Sequence, residues 1–196
     1  TNPSPSEPLY VGEIVRLDAT AKTVDNRATE GSGEVYWRFG PEGIIDWVDG
    51  DARYVASGAI RTSGAAFPPR LRQIFDGVLA LMREYQPREV AIERVFMHRN
   101  PDSALKLGQA RGAALCAAFA GDPEVFEYAP REVKLAVVGQ GGAQKEQVQL
   151  MVKTLLRLQG ELGPDAADAI GIALCHAYSR EARLAVVAGA APRVGA

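Results

Sequence analysis

The chain has 196 residues, 47% of them hydrophobic and 23% charged, with a formal net charge of −2 at pH 7. This length favours one domain with a sizeable core. The sequence contains no run of about eighteen apolar residues, and its first eight residues are polar and rich in Pro and Ser. We therefore expect neither a membrane span nor a signal peptide.

The charges are unevenly distributed along the chain. Residues 1–52 carry four Lys/Arg and ten Asp/Glu, a net charge of −6, whereas residues 53–196 carry eighteen Lys/Arg and fourteen Asp/Glu, a net charge of +4. A basic surplus in the larger part is a weak indication of a polyanionic partner.

The two cysteines, Cys116 and Cys175, lie in apolar helical stretches, at a spacing that fits no zinc motif. We expect both to be buried, reduced thiols of a cytoplasmic protein rather than partners in a disulfide.

The pattern of the first sixty residues favours strands. Residues 14–17 form a short apolar run that fits a strand, and residues 19–33 have the polar composition of a loop. Two β-prone runs at 35–39 and 44–48 flank a Gly-Pro-Glu-Gly sequence, which predicts a hairpin. A third strand is predicted at 53–60.

Beyond Pro68 helices alternate with strands. Apolar residues at 71, 74, 75, 78, 79 and 82 recur at helical spacing, and the apolar run at 90–95 predicts a central strand covered on both faces. Further helices are predicted at 102–120, 130–138, 143–158 and 165–187, and a further strand at 125–128. This order predicts an α/β fold, a mixed sheet flanked by helices, with a frayed tail at 189–196.

Three carboxylates stand out for their positions. Glu93 lies inside the apolar run at 90–96, where an ionised carboxylate costs several kcal/mol unless a cation compensates it. Asp165 and Asp168 are three residues apart at a helix start, so both project from one face. Taken alone, that pair fits an N-cap and a solvated first turn. If a sheet centre and a helix start converge, the three acids could hold Mg²⁺ for two-metal phosphoryl chemistry.

Other residues fit contact with nucleic acid. Phe96 and Arg99 follow the strand that carries Glu93, and an exposed aromatic beside cations suits stacking on an unpaired base. Lys134 and Lys145 flank the glycine-rich loop at 139–142 and could reach phosphates. The simpler alternatives are a core-capping Phe96 and solvated surface lysines. His176, on an apolar helix face, is predicted to be a hydrogen-bonded core histidine.

Several stretches of the sequence match those of a known family at near-identical spacing. They are residues 95–97, 100, 102–112 (Asp-Ser-Ala-Leu-Lys-Leu-Gly-Gln-Ala-Arg-Gly), 133–134, 137–139, 145, 147–148 and 165–169 (Asp-Ala-Ala-Asp-Ala), with 43–45 and 54–62 nearer the N-terminus. Over residues 43–178 the chain resembles bacterial Holliday-junction resolvases of the RuvC family.

The resemblance implies a ribonuclease-H-like fold and cleavage of paired strands at a four-way DNA junction by a homodimer. Mg²⁺, two ions per site and replaceable by Mn²⁺, would be held by Glu93, Asp165 and Asp168. Phe96 would stack on a base, Lys134 and Lys145 would contact phosphate, and the helix at 102–120 would supply much of the dimer interface. A branch-migration motor is a further partner that the family implies.

The chain departs from the family in its first forty residues. The family begins with a strand ending in Leu-Gly-Ile-Asp-Pro-Gly, which supplies a fourth acid, and this motif is absent. Asp18 and Glu34 are weak candidates for that ligand. We therefore separate an atypical segment, partly disordered or aberrant, at 1–42 from a resolvase domain at 43–188. Family-like sequence resumes abruptly at residue 43, which indicates real divergence, a shifted reading frame or a misplaced start before it.

These observations predict a structure-selective DNA endonuclease that acts in recombination and repair. The alternative is a junction-binding protein that does not cut because its first acidic ligand is missing. A third possibility is a ribonuclease-H-like hydrolase that acts on RNA–DNA hybrid.

Overall fold

The computed structural model describes residues 9–11, 37–48, 51–64, 66–94 and 101–187. The strands are β1 Leu9–Val11, β2 Trp37–Val48, β3 Asp51–Thr62, β4 Glu89–Glu93 and β5 Glu124–Tyr128. The helices are α1 Phe67–Tyr85, α2 Pro101–Ala118, α3 Pro130–Val138, α4 Lys145–Leu155 and α5 Pro164–Val187, with a 3₁₀ turn at Phe119–Gly121. In this part of the chain no helix combines the length and the apolar character needed to cross a membrane.

The five strands form one mixed sheet in the order β3-β2-β1-β4-β5. β2 pairs antiparallel with both β1 and β3, whereas β1, β4 and β5 run parallel. Val11 is the register partner of Val90, and Glu93 is the register partner of Tyr128. The predicted α/β architecture is therefore confirmed.

Helices cover both faces of the sheet. Successive side chains of a strand point to opposite faces, so neighbouring residues contact different helices. Ile44 and Val90 face α1 and α2, in a cluster that includes the apolar stripe of α1 at Ile74, Val78 and Met82. The opposite face, with Ile45 and Ala91, packs against α5, and α3 and α4 lie beyond it. Residues 171–177 of α5 are buried on all sides, as expected for a helix between a sheet and other helices.

The predicted hairpin at 35–48 is wrong. One continuous strand, β2, spans Trp37–Val48 and pairs with β3 over most of its length. The Gly40-Pro41 sequence is accommodated by a register irregularity between Arg38 and Pro41. A proline lacks the N–H that a ladder needs, so it is tolerated at such a bulge, and the pairing with β3 overrides the local turn preference.

The boundary proposed after residue 42 falls inside β2, and β1 belongs to the same sheet. Part of the segment at 1–42 therefore contributes strands to the domain. The expected strand at 14–17 and the expected tail at 189–196 lie outside the described residues.

The two cysteines differ in their exposure to solvent, and the expectation that Cys116 is buried is wrong. Cys175 is buried, and burial raises its pKa to about 11. Cys116 is exposed, because α2 packs on its neighbours through the stripe of Ala110, Ala114 and Ala117, and Cys116 lies outside this stripe.

Candidate metal and nucleic-acid site

Glu93 projects toward the face of the sheet that α5 covers. Glu89, Ala91 and Glu93 are alternate residues of β4, so their side chains share one face. Ala91 belongs to the core that β4 shares with α5, and the Glu89 carboxylate lies 2.6 Å from Nε2 of His176 on α5. Glu93 stands on this same face, half-buried at the C-terminal end of the strand.

The first turns of α5 lie at the same end of the sheet as Glu93. His176 contacts Glu89 at the start of β4. Asp168 is eight residues earlier in the helix, a rise of about 12 Å, and Glu93 is four residues later in the strand, a rise of about 13 Å. The contacts of α5 with β2 give the same direction for the helix. Ile170 packs at Gly43, and the Tyr178 ring packs edge-on to Trp47, so α5 runs in the direction of β2, which is opposite to that of β4. α5 is therefore antiparallel to β4 and begins where β4 ends.

A lysine side chain places a positive charge at the N-terminal end of α5. Nζ of Lys145, in the first turn of α4, lies 3.4 Å from Oδ2 of Asp168. The lysine side chain is half exposed and the aspartate side chain is 21% exposed, so solvent screens the pair and its contribution to stability is small. Asp165, half-buried, lies one turn before Asp168. Lys145 thus joins the starts of α4 and α5 at the edge where Glu93 ends β4.

The donor chemistry of this edge fits Mg²⁺, which prefers carboxylate oxygens and retains several waters. The ammonium of Lys145 beside Asp168 shows that the position accepts positive charge. Within the described ranges, however, no three His, Cys, Asp or Glu side chains are close enough together to hold a metal ion. A bound ion therefore needs water molecules, DNA phosphate or residues outside these ranges to complete its shell. β1 runs parallel to β4 and so ends at the same edge, but Asp18 and Glu34 lie outside the described residues.

The predicted nucleic-acid residues are only partly placed. Phe96 and Arg99 lie outside the described residues. Lys134 is half-buried on α3, and Lys145 is exposed at the start of α4. Between these helices Gly139 adopts a left-handed conformation (φ 78°) that ends α3.

Arg131 lies near this loop and was not among the residues predicted from the sequence to contact nucleic acid. The Arg131 side chain covers Gly141 so closely that a Cβ on the glycine would stand 2.8 Å from Cγ of the arginine. Arg131 is exposed at the start of α3 and adds positive charge beside the glycine-rich loop. Its closeness to Gly141 depends on the fold of the loop, so no local sequence signal indicates it.

His176 is a hydrogen-bonded core histidine, as predicted. Its side chain is fully buried, with Nδ1 2.7 Å from the Tyr128 hydroxyl and Nε2 2.6 Å from Oε2 of Glu89. Burial lowers the pKa of His176, although the hydrogen bond and the charge of Glu89 oppose the shift. A lowered pKa favours the neutral ring, in which Nε2–H donates to the Glu89 carboxylate and Nδ1 accepts from the Tyr128 hydroxyl. Sequence reasoning missed the roles of Glu89 and Tyr128, although the alternation of Glu89 with Glu93 was a visible signal.

The sheet order, the parallel β1-β4-β5 half and the acids where β4 ends and α5 begins define a ribonuclease-H-like α/β protein. A Thermus thermophilus RuvC structure is 30% identical and matches with a TM-score of 0.68, covering 88% of this chain and 95% of that one. The same protein in complex with a Holliday junction substrate matches at 30% identity with a TM-score of 0.69. The yeast mitochondrial Holliday junction resolvase Ydc2, at 12% identity and a TM-score of 0.57, shares the fold.

Residues 38–176 match the family model described as crossover junction endodeoxyribonuclease RuvC. The relative of that name from Methylococcus capsulatus is 55% identical over 139 residues, which are 71% of this chain and 84% of the relative. The one from Shewanella piezotolerans is 54% identical over 149 residues, 76% of this chain and 86% of the relative. The chain belongs to the RuvC family of crossover junction endodeoxyribonucleases.

Proposed function

We propose that this protein is an endonuclease that resolves four-way DNA junctions by metal-dependent hydrolysis of paired strands, in recombination and repair. The observation that carries the proposal is the placement of Glu93 and Asp168 at one edge of a RuvC-family domain, with Asp165 one turn away. Relatives about half identical to the chain are named as crossover junction endodeoxyribonucleases, and the Thermus protein was solved with a Holliday junction substrate.

Glu93, Asp165 and Asp168 are the residues that would hold Mg²⁺, two ions per site, with Mn²⁺ as a substitute. When bound, such ions polarise the phosphoryl oxygen and lower the pKa of a water molecule. Glu93 would contribute its carboxylate from the last position of β4, where Tyr128 of β5 is its partner in the ladder. Asp165 and Asp168 contribute theirs from a helix whose next turns are buried, which limits their movement.

Lysines beside the acids would hold the DNA. The half-exposed ammonium of Lys145 lies beside Asp168, where it can donate to a phosphate oxygen of a strand lying across the edge. Lys134 would add a second phosphate contact from α3. Phe96 and Arg99 are proposed to reach the unpaired bases and the backbone near the crossover.

The outward face of α2 would form a homodimer interface. Gly108 and Gly112 have open space where a Cβ would lie, so another backbone can approach closely there. Leu105 is 62% exposed on this helix, Phe119 just after it is 57% exposed, and Cys116 is exposed between them. Two copies related by a two-fold axis would direct two sites at the two symmetric strands of a junction. A cytoplasmic location and a branch-migration motor as partner remain part of the proposal.

Comparing substrates tests this function. The purified chain is incubated with Mg²⁺ and labelled four-way junction, linear duplex or RNA–DNA hybrid of matched length. Nicks on the junction alone, paired across the two-fold axis, are expected. A gel shift of the junction in EDTA without products in Mg²⁺ or Mn²⁺ would instead identify a junction-binding protein that does not cut. Preferential cutting of the hybrid would refute junction selectivity.

A further inference from the structure

We propose that His176 is a positioning residue: it fixes the lengthwise position of α5 on β4 and β5, and so sets where Asp165 and Asp168 stand relative to Glu93. This inference rests on the proposed function, in which those three acids hold the metal. It assigns a role to a buried polar group that lies outside the candidate site.

The hydrogen bonds of His176 reach two different strands. Nε2 lies 2.6 Å from the Glu89 carboxylate at the start of β4, and Nδ1 lies 2.7 Å from the Tyr128 hydroxyl at the end of β5. The Phe126 ring lies against the imidazole, with centroids 4.3 Å apart and planes inclined by 33°. One turn later in α5, Nε of Arg180 lies 3.3 Å from the second oxygen of Glu89. The helix is therefore held to this strand pair by directional contacts from a single turn of α5.

The same strand pair carries the proposed ligand. Tyr128 is the register partner of Glu93, and the backbone N–H of Arg94 donates to the carbonyl of Tyr128 at 2.7 Å. The residue whose hydroxyl holds the helix is thus the direct neighbour of Glu93 across the ladder. His176 and Asp168 lie on one rigid helix, eight residues apart, so a displacement at His176 is transmitted along the axis to Asp168.

Directional bonds are needed because the other described contacts between α5 and the sheet are mainly apolar. Ile170 and Leu174 pack in the core that includes Ala91, and apolar contacts have little directional preference. A slip of one residue would shift the helix by about 1.5 Å and rotate it by about 100°. A misplacement of about 1 Å can reduce catalysis by roughly 10²-fold, and losing a group that orients a metal ligand typically costs about 10–100-fold in metal affinity.

The test compares Tyr128→Phe and His176→Leu with Tyr178→Phe. Tyr128→Phe removes one hydroxyl, with its hydrogen bond to the imidazole and its contacts with Ser179 and Arg183 of the same helix. Tyr178→Phe is the matched control, because it removes the same atom from another tyrosine that packs against the sheet, on Trp47. For each variant we would measure Mn²⁺ affinity without DNA, the Mg²⁺ concentration for half-maximal cleavage, junction affinity in EDTA and Tm.

We expect His176→Leu and Tyr128→Phe to weaken Mn²⁺ binding and raise the half-saturating Mg²⁺ concentration by about 10-fold, with junction affinity in EDTA within about twofold of wild type. Tyr178→Phe should match wild type in both metal readouts. If His176→Leu does not fold, Tyr128→Phe decides the question. A lower Tm with unchanged metal affinity would overturn the proposal and leave His176 a packing residue.

The same experiment separates this inference from the proposed function. If wild type binds Mn²⁺ and cuts the junction while the Tyr128 and His176 variants match Tyr178→Phe, only the positioning role is wrong. If wild type neither binds Mn²⁺ nor cuts, both proposals are wrong.

Discussion

Gly43 of β2 packs directly against the backbone of α5 at Ile170. A Cβ at position 43 would stand 2.6 Å from the backbone nitrogen of Ile170 and 2.9 Å from the carbonyl carbon of Ala169. Only glycine permits this approach, because two of the three obstructing atoms are backbone and cannot rotate away. The contact lies two residues beyond Asp168, so Gly43 helps to determine the depth at which the acidic turn of α5 sits.

Replacing Gly43 by alanine should therefore lower both stability and cleavage. Forcing a methyl group into a packed contact costs about 1–3 kcal/mol, equivalent to a fall in Tm of roughly 2–12 °C. Cleavage at saturating Mg²⁺ should fall as well, because α5 has to move away from β2. Gly142→Ala is the control, since open space surrounds the position of its Cβ. Equal Tm values for the two variants would contradict the close approach.

The Lys145–Asp168 pair predicts a change in metal affinity. Lys145→Met removes the ammonium that competes with a metal ion for the Asp168 carboxylate. An exposed ion pair is worth about 0.2–1 kcal/mol, so Mn²⁺ binding without DNA should tighten by roughly 1.5- to 5-fold. Junction cleavage should fall, because a phosphate contact is lost. Lys153→Met, on the same helix but away from the acids, should change neither quantity, and weaker Mn²⁺ binding in Lys145→Met would refute the competition.

The proposed homodimer can be tested with a matched pair of exposed leucines. Leu105 on α2 and Leu150 on α4 are 62% and 67% exposed. Leu105→Glu should convert dimer to monomer in light scattering, because it buries a charge in an apolar contact, whereas Leu150→Glu should remain dimeric. Paired nicks should become single nicks in Leu105→Glu. Persistence of the dimer in that variant would remove α2 from the interface.

The lowered pKa of the buried His176 predicts a pH dependence of stability. Burial lowers the folded-state pKa below the ordinary value, although Glu89 opposes the shift and Arg180 and Arg183 add to it. The unfolded state therefore takes up a proton first as pH falls, and stability is lost below about pH 6.5. The free energy of unfolding of wild type should decline relative to His176→Leu between pH 7 and pH 5, as measured by urea denaturation. A constant difference over this range would refute the neutral imidazole.

The sequence pattern alone predicted those helices and strands whose formation depends mainly on neighbouring residues. The helix predicted from residue 130 begins at Pro130, the one predicted from residue 165 begins one residue earlier at Pro164, and the apolar run around Ile92 forms a strand. The roles of Glu93, Asp165 and Asp168 stay predictions, although the structure places Glu93 and Asp168 at one edge.

What the sequence did not reveal depends on distant partners. The Gly40-Pro41 sequence forms no hairpin because β3 pairs across it, and β1, with three residues, carries too little pattern to be recognised. The exposure of Cys116 follows from which side of α2 packs on its neighbours. The contacts of His176 join residues 48 and 87 positions apart, and sequence alone does not specify such pairs.

The measurement that tests the central claim most directly is cleavage and binding of a synthetic four-way junction by wild type, Glu93→Gln and Glu124→Gln. Glu124 is an exposed glutamate at the opposite end of the neighbouring strand β5. We predict paired symmetric nicks from wild type and Glu124→Gln in Mg²⁺, none from Glu93→Gln, and equal gel shifts in EDTA for all three. Wild-type rates of cleavage by Glu93→Gln would contradict the account, because the edge where β4 meets α5 would then not be the metal site.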